Sequence, residues 1–230
     1  MDMSRWNAAR RVAAITCLWI AVAFVLPATL PAADAPQTSK DGLELKTQTK
    51  QRLVYVRPGA TFSQYNRVAV LDCYVEFSKV WQRDYNRSAS LGRQVSDSDL
   101  DRAKTDLSAQ FKKIFTDELM RGGYEVVDAA GPDVLVLRPA LVNIAVNAPD
   151  LMTPGRSATY AYSAGQMTLY LEVWDSKSNT ILARVVDARA DQNVYGQRMT
   201  SVDNRAAADR ILKSWADELV TKLNLARGKS

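Results

Sequence analysis

Two stretches of this chain carry apolar residues at helical spacing, and much of what lies between them alternates. Leu100, Ala103, Leu107, Phe111, Ile114 and Phe115 recur every three or four residues, which gathers them into one stripe along a helix. Ala208, Ile211, Leu212, Trp215, Leu219 and Leu223 repeat that spacing near the C-terminus. Between them, Gln166–Asp175 sets Met167, Leu169, Leu171 and Val173 against Thr168, Tyr170, Glu172 and Trp174, the period of a strand with one buried face. The polar turn Ser176-Lys177-Ser178-Asn179 returns the chain into Thr180–Asp191, which predicts a hairpin. An apolar stripe is stable only against a second layer, so helices packed on a sheet follow from the pattern.

Local signals set the remaining elements. Ser96 can cap the free N–H groups of the first long helix, and Asp97, Asp99 and Asp101 favour the positive end of its dipole. These aspartates lack the glycine and later glutamate of a calcium loop, so capping is the better reading. Gly122-Gly123 ends the helix, and the last helix is expected over Asp203–Ala226. Residues 67–77 read as a central strand, with Ala69, Leu71, Cys73, Val75 and Phe77 on one face. Tyr124–Asp128 reads as another strand, and Asp133–Ala148 as a long one in which Pro139 implies a bulge, bend or edge. Leu53–Val56 is a short strand stopped by Arg57-Pro58-Gly59. The order β-α-β-β-β-β-α predicts an α+β fold: a mixed β-sheet with two long helices packed on one face. Residues 53–230 are expected to form a single domain, preceded by an exposed polar leader arm over 34–52.

The N-terminus gives an address. Arg5, Arg10 and Arg11 precede an apolar run from Val12 to Leu26, closed by Pro27 and followed by Leu30-Pro31-Ala32-Ala33. This is the layout of a secretory signal peptide over residues 1–33, with cleavage expected after Ala32 or Ala33. The apolar run is shorter than the roughly 20 residues needed to cross a bilayer. With the uncharged residues that follow it, an uncleaved inner-membrane anchor remains the alternative. Cys17 lies too near the start of the run for lipidation, and Val12-Ala13-Ala14 behind Arg10-Arg11 lacks the rest of a twin-arginine motif. A periplasmic or envelope-associated location follows.

Composition removes several kinds of chemistry. The chain has no histidine, which excludes Ser-His-Asp and Cys-His catalysis and leaves no ordinary zinc site. No cofactor is expected. Once the signal is removed, Cys73 is the only thiol, so no intrachain disulfide can form, and its place on an apolar strand face predicts a buried, inert group. The mature chain keeps a small, interspersed positive excess without a Lys/Arg block, so nucleic acid is not an expected partner. Asp72 and Glu76 share a strand face but stand about 13 Å apart at strand rise. A glycosidase pair needs about 5–9.5 Å.

Two long connections are the candidate binding regions. Ser78–Val95 contains Trp81, Arg83, Asp84, Tyr85, Arg87 and Arg93, and Pro149–Ala164 contains Asp150, Arg156, Ser157, Thr159, Tyr160 and Tyr162. Long connections without secondary structure are uncommon in compact domains and often carry function. If the strands they leave run parallel, both emerge on one edge of the sheet. Aromatic rings beside arginines can grip an anionic or sugar-bearing partner. The plainer reading is that the rings cover the sheet edge and the charges are solvated. Arg138 interrupts the apolar run Val134–Leu137, so it is expected in a structural ion pair with Asp72, Glu76 or Asp150.

Several segments resemble a bacterial envelope family known as domain-of-unknown-function family 3313. They include Tyr55-Val56-Arg57-Pro58-Gly59-Ala60, Ser96-Asp97-Ser98-Asp99-Leu100, Gly123-Tyr124-Glu125-Val126-Val127-Asp128, Leu137-Arg138-Pro139-Ala140, Pro154-Gly155-Arg156-Ser157 and Ala183-Arg184-Val185-Val186-Asp187. The resemblance spans about Asp41 to Leu225. It implies an envelope compartment and often a lipoprotein, but no activity; here no cysteine stands near the expected cleavage site. The expected function is non-enzymatic: an exported accessory domain that binds an envelope protein or an envelope glycan or lipid component, with membrane association possible. The alternative is a carboxylate-dependent enzyme acting on envelope glycans.

Overall fold

The computed structural model describes residues 35–89, 94–146, 159–161, 165–190, 197–199 and 201–228, with backbone alone for 159–161, 197–199 and 201–204. Residues from Ala35 onward form one compact unit. Among the described residues, ten strands and three helices follow in order: β1 Glu44–Gln48, β2 Arg52–Val56, β3 Arg67–Val70, β4 Tyr74–Phe77, α1 Lys79–Ser88, α2 Asp97–Arg121, β5 Glu125–Val126, β6 Val134–Val146, β7 Thr159–Ala161, β8 Gly165–Asp175, β9 Thr180–Ala190, β10 Gln197–Met199 and α3 Ser201–Ala226. The fold is α+β. Eight strands make one mixed sheet in the order β1-β2-β9-β8-β6-β3-β5, with β4 also paired to β6, while β7 and β10 pair separately.

Alternation places the core. Met167, Leu169, Leu171 and Val173 of β8 join Leu135, Leu137 and Leu141 of β6, and Val68 and Val70 of β3, under the stripes of α2 and α3. Phe111 and Phe115 are fully buried and stacked, with centroids 3.9 Å apart. Ser96 caps α2 as expected, accepting through its hydroxyl from the Asp99 N–H, and the Asp99 carboxylate closes a capping box by accepting from the Ser96 N–H. At the other end of α2, Gly123 takes φ +84, which favours glycine. A Cβ on Gly122 would stand 2.3 Å from Val220 Cγ1, so that glycine permits the close approach of α3.

Three departures from the sequence reading have physical causes. Pro139 does not mark an edge: β6 is central and runs through it. On the parallel side, β3 pairs with β6 as far as Val70↔Leu137 and β4 resumes at Tyr74↔Ala140, so the neighbouring strand breaks opposite the missing N–H. The irregularity on the β8 side falls later, at Asn143, whose φ is +54. The same break turns Leu71 outward, 44% exposed, where one continuous strand would have placed it with Cys73 and Val75. Within the polar stretch 34–52, β1 pairs with β2, and Leu43 is fully buried with Tyr55 and Ile181 on the sheet face away from the long helices.

Ionic groups tie the layers together. Asp187 on β9, 4% exposed, accepts from Trp215 Nε1 at 2.8 Å and pairs with Arg52 at 3.1 Å and Arg189 at 2.9 Å. Both arginines also reach Glu218 of α3. The hydrogen bond from Arg52 holds the Glu218 carboxyl below the usual carboxylate range, against the opposing push of burial. The Cys73 thiol is buried, and burial pushes its pKa up to about 12, which fits the inert reading.

Candidate binding cleft

Strands β3, β4 and β6 are parallel, so the connections that follow β4 and β6 leave the same end of the sheet. The first is not a loop. Ser78 caps a helix, α1, by accepting from the Trp81 N–H, and Phe77, Trp81 and Tyr85 pack as tilted rings at four-residue spacing with centroids 5.7 and 5.9 Å apart. The expectation of an irregular Ser78–Val95 connection missed this cap and this spacing. Trp81 Nε1 donates to the Val146 carbonyl at 2.7 Å, joining α1 to the end of β6. Asn86 holds the return of the chain through two hydrogen bonds with the Val95 backbone.

Beneath α1 lies an open cleft of about 140 Å³, between α2, α3 and the ends of β6 and β8. Its floor is apolar, formed by Phe77, Leu107, Ile144, Met167 and Ile211 beside Trp81. Asp99, Arg102, Asp106, Gln110, Gln166 and Arg205 supply polar groups to the wall. Asp99 receives Arg102 at 2.9 Å, and its bond from the Ser96 hydroxyl, aided by that arginine, keeps its carboxyl below the usual range. The sequence reading missed these α2 and α3 residues because they lie on helices assigned to the core. The available signal was the run of small residues Ala103, Ala207 and Ala208, which leaves space against the aromatic wall.

The predicted site residues fare differently. Trp81 lines the cleft, and Tyr85 is half-buried behind it. Arg83 and Asp84 are exposed and paired at 3.0 Å, and Arg87 approaches Asp84 at 3.8 Å. Tyr160 belongs to β7, of which the backbone alone is described; Arg93, Asp150, Arg156, Ser157 and Tyr162 lie outside the described residues. Arg138 stands in an ion pair with a partner other than those expected. Its side chain is 55% exposed and lies over the Trp174 ring, with Glu172 at 3.8 Å as its acid. Glu172 faces it directly across the β6–β8 ladder, a cross-strand relation that Asp72 and Glu76 lack; Asp150 lies outside the described residues. Asp72 instead meets Lys112 at 2.9 Å, and Glu76 accepts from the Tyr74 hydroxyl at 3.3 Å.

Among the described residues, no helix is long and apolar enough to cross a membrane, and no cluster of three or more Cys, Asp or Glu side chains could hold a metal. Residues 36–219 match the family described as a protein of unknown function, DUF3313, and the chain belongs to that family. A comparison with curated proteins finds no match. Among solved structures, the chain is similar to PelC from Paraburkholderia phytofirmans, a dodecamer, at 12% identity and TM-score 0.40 over 74% of this chain and 97% of that one. It is also similar to protein XCC0632 from Xanthomonas campestris, at 14% identity and TM-score 0.41 over 73% and 89% of the two chains. A minor lipoprotein from Acinetobacter baumannii matches at 12% identity and TM-score 0.32, over 71% and 94%.

Proposed function

We propose that this protein is exported to the bacterial envelope and works there by binding, as an accessory to assembly or transport, rather than by catalysis. The observation that carries this reading is the convergence at one end of the sheet. The connections after parallel β4 and β6 start side by side, and Trp81 stands there in the wall of an open cleft with an apolar floor. Apolar concave surface with a few placed polar groups is what ligand and partner sites are made of. A glycan hydrolase would need a carboxyl with a raised pKa to act as acid. Asp99 in the cleft is shifted the other way by its Ser96 capping bond, so it is not that acid. The export part of the reading rests on the basic, apolar and small-residue segments of Met1–Ala33, and it predicts a mature N-terminus at Ala33 or Asp34. The test is photo-crosslinking in intact cells from Gln82 and from positions within 149–164, with identification of what is captured. Specific capture from these positions is expected, and a failure to capture anything specific sinks the proposal.

A further inference from the structure

Helix α1 has two unlike sides. Lys79, Arg83 and Arg87 follow one another at four-residue spacing, so they share one stripe. All three are exposed. Arg83 and Arg87 share a single acid, Asp84, and Lys79 has no ion pair among the described residues. The stripe therefore presents a net positive charge over the length of a short helix. Val80, 58% exposed, stands beside it. The other side of α1 carries Trp81 and Tyr85, and Trp81 closes one wall of the apolar cleft. No residue of α1 is fully buried: Trp81 and Tyr85 are half-buried on the inner side, and Lys79, Arg83 and Arg87 face solvent.

A ligand that satisfies both sides has an anionic head and an apolar end. An acidic glycan would leave the cleft unfilled, and an uncharged lipid would leave the stripe without a counter-charge. We propose that α1 and the cleft form a site for a single anionic lipid molecule, its head held by Lys79, Arg83 and Arg87 and the end of its acyl chain in the cleft. The proposal rests on the reading of this end as the binding end, and names the ligand. The dimensions agree. A dry cavity of about 150 Å³ accepts benzene, so the cleft takes roughly six carbons. A helix with its side chains is about 10–12 Å across, less than the length of a membrane lipid's acyl chain, so one molecule can reach both sides.

The test uses the full chain and lysophosphatidylglycerol below its micellar concentration, with binding followed by calorimetry. One molecule is expected to bind. Glycerophosphoglycerol, which has the head but no tail, and lysophosphatidylcholine, which lacks net charge, are expected to bind more weakly. The exposed triple variant K79E/R83E/R87E should lose at least about tenfold in affinity, given the attraction each basic residue adds near anionic lipid, with an unchanged melting temperature. Ala103→Phe, which fills the cleft, should weaken binding as well. Equal affinity for the two lysolipids, or indifference to the charge reversal, overturns the proposal. Binding to phosphatidylglycerol vesicles without binding to the monomeric lipid also overturns it, because the contact would then be with a bilayer surface. Specific protein capture from Gln82 in cells, with no lysolipid bound, defeats this inference alone and leaves the binding reading in place.

Discussion

Helices α1 and α2 are neighbours in sequence and are held by opposite means. Helix α2 buries Leu100, Leu107, Phe111, Phe115, Glu118 and Leu119, and its cap is closed at both ends of the Ser96–Asp99 box. Helix α1 has no fully buried residue and is held by the Ser78 cap, by one indole hydrogen bond to Val146, by Asn86 and by its half-buried aromatic rings. The difference separates scaffold from site. Helix α1 contributes little to the core and carries three aligned cations on one side and two aromatic residues on the other, the pattern on which the proposed site rests. The cleft between α2, α3 and the ends of β6 and β8 takes one wall from α2 and has Trp81 of α1 at another.

Substitutions can break this contrast. The largest effect is expected from Phe111→Ala, which empties a fully buried site beneath α2 and should cost about 3–5 kcal/mol in urea unfolding. A loss below about 1 kcal/mol would mean that α2 is not the scaffold. Asp187→Ala comes next. It leaves Arg52, Arg189 and Trp215 Nε1 without their shared acceptor, and a loss of about 3 kcal/mol is expected by the same measurement.

The same ionic cluster predicts a pH dependence. The Glu218 carboxyl is held down in the folded state by Arg52, so its contribution to stability is fully present above the unfolded carboxylate range, about pH 4.3. That contribution is lost as pH falls through the lower folded value. Unfolding followed from pH 7 to pH 3 should show the decline on the acid side, and Glu218→Gln should flatten it. Trp81→Ala is expected to have the smallest effect on stability, about 1 kcal/mol, since it removes one hydrogen bond and a half-buried ring. It should nonetheless abolish capture from Gln82. A variant that loses stability like Phe111→Ala would place α1 within the core.

The parts of the fold that were legible in the sequence are those where one residue type repeats a requirement. The stripe from Leu100 to Phe115, the capping residues Ser96 and Asp99, and the alternation of β8 each state the same local choice several times. The break between β3 and β4 was hidden because Leu71 continues the apolar alternation and gives no local sign of turning outward. Its cause, Pro139, lies on a different strand and becomes visible only through the parallel register. In the sequence, strand β1 has the look of a polar arm because Glu44–Gln48 is a largely polar edge whose one buried anchor, Leu43, precedes it. At the site, Trp81 could be named from its surroundings. The cleft could not, because Ala103, Ala208, Ile144 and Met167 meet only after four separate elements have packed.

The contrast between scaffold and site is tested most directly by native-state hydrogen exchange of the purified protein. Amides in the central turns of α2 should exchange only through global unfolding, while those of α1 should exchange far faster through local opening. Phe111→Ala should then accelerate α2 and leave α1 unchanged. Exchange of α1 and α2 at one common rate, responding together to Phe111→Ala, would contradict the account.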